Sequence, residues 1–188
     1  MSRPRRVVLV GFMAAGKTSV GEALARRLGW GFVDVDRAVE ARSGASIAEL
    51  FAGAGEAAFR ELEAEAARAA IGGDEVVVAT GGGWPSSERS GWPSLPAGTL
   101  SVWLRVGPEE AVRRAGAEGI GRRPRLSAAD PLAAAESLLA EREPSYRMAA
   151  LHVQTGGRDP ESIAADLARA VRGARAGATD HPGGTNGP

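Results

Sequence analysis

The sequence contains no cysteine, which excludes disulfides, thiolate metal sites and a cysteine nucleophile. Histidine occurs only as His152 and His181, too few for a histidine metal cluster. No stretch approaches the roughly 18 apolar residues of a membrane span, and the apolar run after "MSRPRR" is too short for a signal-peptide core. The cytoplasm is the expected compartment. Net charge is missing too, with 23 Lys+Arg against 23 Asp+Glu. The charge balance thus gives no support to nonspecific binding of nucleic acid or of a membrane surface, and neither is expected as a partner. The scarcest feature is lysine. All but one of the basic side chains are arginine, and the exception is Lys17.

What is present suits one domain. A chain of 188 residues that is 44% hydrophobic can fill a core of that size. Apolar runs at 7–10, 31–35, 76–80, 100–106 and 151–155 predict strands, most of them continuously apolar as in sheets covered on both faces. Between them, 17–28 places Val20, Leu24 and Leu28 on one stripe and ends at Gly29. Ser46 and Glu49 have capping-box spacing, and 56–71 is an Ala/Glu-rich helix closed by "GG". Pro108, Pro131 and Pro160 each stand where a first helical residue would. This alternation predicts a parallel sheet with helices on both faces. Residues 116–130, "GAEGIGRRPRLSAAD", lack apolar periodicity and read either as a surface loop or as a mobile basic lid. Residues 1–172 are expected to form the domain, and the Gly-rich tail 173–188 to be disordered.

Lys17 lies in "GFMAAGKT" (11–18), which matches G-x-x-x-x-G-K-[ST] between a strand and a helix, the context a phosphate-binding loop requires. Loop N–H groups and the helix N-terminus wrap phosphates in such a loop. The lysine reaches the β- and γ-phosphates, and the Thr18 hydroxyl ligates Mg²⁺. The one asparagine, Asn186, lies in the tail and there is no second lysine, so the N-K-x-D base recognition of guanine-specific switches is missing. The "VVVAT" run ends in "TGGG" rather than in the aspartate usual for motor-type ATPases. Small-molecule kinases remain.

Further stretches, in order, resemble shikimate kinase: "DVD" (34–36), "FRELE" from Phe59, "GGG" (81–83), "RRP" within 116–130, and "REPSYR" (142–147). The likeness spans about residues 7 to 172, and the ordered set is what makes it specific. It implies a three-layer α/β P-loop kinase with five parallel strands in the order 2-3-1-4-5, and a monomer is expected. The implied reaction converts ATP and shikimate to ADP and shikimate 3-phosphate with Mg²⁺. Ala14, Ala15, Gly16, Lys17, Thr18 and Ser19 would bind the phosphates of ATP. Arg114, Arg158 and Pro160 would flank the adenine, and Arg123 would close over the transferring phosphate. Asp36 would bind acceptor hydroxyls and take the proton of the attacking one, while Asp34 would help organise Mg²⁺, through water. Arg60 and Arg142 would hold the substrate carboxylate, with Gly81, Gly82 and Gly83 offering backbone N–H groups.

Each assignment has a plainer counterpart. The two aspartates share a strand-end face but also suit helix caps. Arg60 has Glu56 and Glu63 in reach on its own helix, the glycines make a turn, and Arg123 fits a solvated charge run. The sequence departs from the family at "RPRL", where R-P-L-L is frequent. It departs again at "GGGWPSSERS", which leaves Trp84 as either core or pocket rim. Gluconate kinase, a nucleoside monophosphate kinase and a non-catalytic ATP-binding switch are the alternatives. A switch would need no acceptor carboxylate site, so Arg60, Arg142 and the glycines discriminate it from a kinase.

Overall fold

The protein was analysed as a computed structural model that describes residues 4–118 and 130–173. Five strands form one parallel sheet: β1 (Arg6–Val10), β2 (Gly31–Asp34), β3 (Val76–Ala79), β4 (Thr99–Arg105) and β5 (Leu151–Gln154). Their order is β2-β3-β1-β4-β5, as the resemblance implies. Among the described residues seven α-helices accompany them: α1 (Lys17–Leu28), α2 (Val35–Ser43), α3 (Ile47–Gly53), α4 (Gly55–Ile71), α5 (Pro108–Glu118), α6 (Pro131–Tyr146) and α7 (Pro160–Gly173).

The centre of the sheet is sealed on both faces. Successive side chains of a strand point to opposite faces, yet Val7, Val8, Leu9 and Val10 are all fully buried. Each such side chain contributes roughly 1.5–3 kcal/mol, so β1 anchors the core, hydrogen-bonded to β3 on one side and β4 on the other. The edge strands differ from the apolar reading. In β5, half-buried Leu151 and Val153 alternate with exposed His152 and Gln154, because an edge strand is covered on one face only.

Local signals set most helix ends. Gly29 caps α1 in the left-handed conformation at φ 70, and Ser46 and Glu49 complete the capping box of α3. Asp130 accepts from the N–H groups of Leu132 and Ala133 at the start of α6, and Asp159 accepts from Ser162 N in α7. Three boundaries are corrected. The second strand stops at Asp34 rather than Val35, because the Asp34 carboxylate accepts from Asp36 N and Arg37 N and so starts α2. Residues 116–118 complete α5, so the candidate lid begins within a helix, and at its other end Asp130 is the extended N-cap of α6; 119–129 lie outside the described residues. Gly173 closes α7, and the rest of the tail is likewise outside them. Among the described residues, no helix is long and apolar enough to cross a membrane.

Candidate active site

The loop after β1 turns back beneath the N-terminus of α1. Gly16 takes the N-cap position at φ 86, and no side chain caps the helix. The first turn of α1 lines the cavity and brings the positive end of the helix dipole to it, which suits an anion. Lys17 folds over this loop, its ammonium donating to Gly11 O at 2.8 Å and Phe12 O at 2.9 Å. Thr18 Oγ1 donates to Asp34 Oδ2 at 2.7 Å. Ala14, Gly16, Lys17, Thr18 and Ser19 line the cavity. Ala15 does not: its side chain is fully buried and its N–H bonds to Phe12 O.

That cavity, of about 840 Å³, continues to the ends of β2 and β3 and to α4 and α6. Asp34 and Asp36 reach it differently from the strand-face reading. Asp34 is both strand end and helix cap, and Asp36 projects from the first turn of α2. Burial, with the neighbouring Glu63 and Asp34 carboxylates, pushes the Asp36 carboxyl up to about 6 against the pull of the Lys17 ammonium. Glu63 is buried at 1% exposure. Burial pushes its carboxyl up as well, with the Arg60 guanidinium working against it.

Asp36 Oδ1 and Glu63 Oε1 are buried without hydrogen-bond partners, which is uncommon for native polar atoms. Both lie against Gly81. A Cβ there would overlap Glu63 Oε1 and come within 3.0 Å of Asp36 Oδ1. Two acceptors thus converge beside a backbone with no side chain, a place shaped for a hydroxyl-bearing ligand.

Arg60 and Arg142 bring the opposite charge. Arg60 Nη1 donates to Glu63 Oε2 at 2.6 Å and Nη2 to Glu56 Oε1 at 3.2 Å, so the plainer pairing within the helix is present. Burial works against its charge, but the Glu63 and Glu56 carboxylates together outweigh this and raise its pKa. The same guanidinium lies against Gly83, and Arg142, only 5% exposed, approaches Gly82 from α6. Both arginines and all three glycines line the cavity.

A Gly83→Ala variant provides one test. Its Cβ would meet the tip of Arg60, 2.8 Å from Nη1. That flexible tip can move, so the fold should survive with a stability loss of about 1–3 kcal/mol, the cost of a weakened pairing at the buried Glu63 carboxylate. The displaced guanidinium should weaken acceptor binding while ATP binding holds. A loss of thermal stability with an unchanged acceptor KM would contradict this.

Arg114 bridges two segments, donating to Ala14 O at 3.3 Å and Thr155 O at 3.0 Å. Arg158 runs along α7 instead, pairing with Asp166 at 2.5 Å and Ser162 at 3.2 Å. Pro160 opens that helix. None of the three lines the main cavity. Arg123 lies outside the described residues. Trp84 belongs to the core, at 1% exposure.

Mg²⁺ suits the Thr18–Asp34 pair, which supplies hard oxygen donors beside the loop. Among the described residues no three His, Cys, Asp or Glu side chains form a metal cage. Magnesium needs none, since it keeps waters and binds through one or two protein oxygens plus substrate phosphates. Sequence reasoning treated Glu63 only as a partner of Arg60 and gave Tyr146 no role. Their positions three residues after Arg60 and four after Arg142 were the available signals.

A phosphate loop opening onto a polar acceptor cavity, on a sheet of this order, defines a P-loop small-molecule kinase. The comparisons narrow the class. The shikimate kinase family model matches residues 13–172. A shikimate kinase of Prochlorococcus marinus is 44% identical over 160 residues, covering 85% of this chain and 82% of the relative. That of Moorella thermoacetica is 41% identical, covering 90% and 95%. The solved structure of Acinetobacter baumannii shikimate kinase in complex with shikimate superposes with a TM-score of 0.85 at 29% identity, covering 92% of this chain and 96% of that one. The chain belongs to the shikimate kinase family.

Proposed function

We propose that this chain transfers the γ-phosphoryl group of ATP to the 3-hydroxyl of shikimate, giving shikimate 3-phosphate and ADP. One observation carries the reading: the Lys17 loop and the Asp36 carboxylate share a cavity with Arg60 and Arg142. That pairs a phosphate donor site with a site for an acid bearing hydroxyls. In the reaction the hydroxyl oxygen bonds to the γ-phosphorus, the bond from that phosphorus to the β,γ-bridging oxygen breaks, and the hydroxyl proton passes to Asp36. Lys17 and the loop N–H groups stabilise the charge spread over the transferring group, in a process that is mostly positioning and electrostatics. Arg60 and Arg142 grip the carboxylate as charged forks. Thr18, with Asp34 through water, would hold Mg²⁺, whose contribution when bound is to neutralise charge on the β- and γ-phosphates.

The remaining assignments rest on the sequence resemblance. Arg123 closes over the transferring phosphate, and Arg114, Arg158 and Pro160 border the adenine. The domain runs on to Gly173 at the end of α7 and works as a cytoplasmic monomer.

A coupled ADP-release assay across shikimate, gluconate, AMP and CMP tests the substrate, and turnover confined to another acceptor overturns the reading. Arg60→Ala and Arg142→Ala should each weaken shikimate binding by about 1.5–3 kcal/mol, the worth of a hydrogen bond to a charged group. ATP affinity should barely move. Equal losses for both ligands would make these arginines structural.

A further inference from the structure

Arg142 and the glycine turn come from distant parts of the chain, yet one side chain joins them. Tyr146 is the only tyrosine and is fully buried. It stands four residues beyond Arg142 on α6, so the two share a helix face. Its hydroxyl donates to Gly82 O, and the Arg142 guanidinium is near enough to draw its pKa down against burial. A phenol oxygen that donates can also accept, so it is able to face both groups. The joined groups are themselves neighbours, with Arg142 Nη1 3.5 Å from where a Cβ on Gly82 would stand.

The ring is held in place as well. Trp103 packs on it with centroids 5.8 Å apart. Ser145, one residue earlier, accepts through its carbonyl from Trp92 Nε1 at 2.8 Å, and Trp92 meets Trp84 edge-on at 6.1 Å. The last carbonyls of a helix have no partner within it; here one is tied to the segment that follows the glycines. Burial pushes the Tyr146 hydroxyl up to about 12, so it keeps its proton and remains a donor.

We propose that Tyr146 is a positioning residue of the acceptor site: its hydroxyl sets the Arg142 guanidinium against the Gly82 backbone and so governs the hold on the substrate carboxylate. It acts through these two partners and touches neither substrate. The inference rests on the shikimate reading above. If Tyr146 served only to fill the core, its ring would matter and its oxygen would not.

Tyr146→Phe separates the two, since it keeps the ring and removes the oxygen. The Gly82 carbonyl loses a buried donor and the Arg142 guanidinium a neighbouring oxygen, so KM for shikimate should rise about tenfold. KM for ATP should stay within about twofold, as expected for an independent site. The preference of the enzyme for shikimate over its carboxamide analogue should also narrow, because that gap reads the grip on the carboxylate. An unchanged shikimate KM with an unchanged gap, or an equal rise for both substrates, overturns the proposal.

A second measurement does not depend on the variant folding. 3-Fluorotyrosine labels this position alone, and its ¹⁹F resonance should move with shikimate and not with ADP. A resonance that ignores shikimate overturns the proposal too. Absence of shikimate turnover in the unmodified enzyme would remove the functional reading, and this inference with it. Normal turnover with a silent phenylalanine variant would remove this inference alone.

Discussion

Lys17→Arg should fold like the unmodified protein and lose nearly all phosphoryl transfer. The substitution keeps the charge and changes its shape. The ammonium reaches Gly11 O at 2.8 Å and Phe12 O at 2.9 Å from the far side of a one-turn loop. That loop is closely built: a Cβ on Gly11 would run into the carbonyl oxygen of Leu104. A compact ammonium on a flexible stem enters such a cradle, whereas a planar guanidinium is wider and fixes the directions of its donors. Its donors would fall out of line with the charge that develops on the transferring group. Losing one preorganised donor of this kind costs about 10²–10³ in turnover, and a misplaced, bulky cation should cost at least that. Lys17 is only half-buried, so the thermal midpoint should change little. The measurement pairs a thermal melt with coupled ADP release on shikimate. Near-normal turnover in a well-folded variant would remove the phosphate-cradle role.

Asp36→Asn should lower turnover by about 10²–10⁴, the range for a positioned general base, while ATP binding is retained. The amide has nearly the shape of the carboxylate but cannot accept the proton. Stability should hold or increase. Asp36 Oδ1 is sealed from water without a partner, beside the carboxylates of Glu63 and Asp34, and its pKa is pushed up to about 6. A negative charge at such a place is a cost of folding, and the amide removes it. The helix-start role already belongs to Asp34, whose Oδ1 accepts from Asp36 N at 3.1 Å and Arg37 N at 3.3 Å. Nucleotide binding by calorimetry, turnover on shikimate and a thermal melt together decide the matter. An earlier melt with normal turnover would show that the carboxylate supports the fold and not the chemistry.

Features written within a few consecutive residues were determined by the sequence alone. The phosphate loop is legible because eight adjacent residues carry their own backbone geometry. Gly29 and the Ser46–Glu49 box announce helix ends because a cap is a bond between residues at most four apart. Alternating apolar runs set the parallel sheet, since only strands covered on both faces are apolar throughout. Burial and distant contacts were decided by the tertiary structure. Glu63 reads in sequence as an ordinary partner of Arg60. Only the approach of Gly81 from the end of β3 encloses it and leaves one oxygen without a partner. The bond from Tyr146 to Gly82 crosses 64 positions of chain, and no local periodicity reports it. Trp84, equally compatible with core and rim in sequence, becomes core because α6 and Trp92 close over it. A side chain's environment depends on which elements meet above it, and that is a property of the assembled sheet and helices rather than of any one segment.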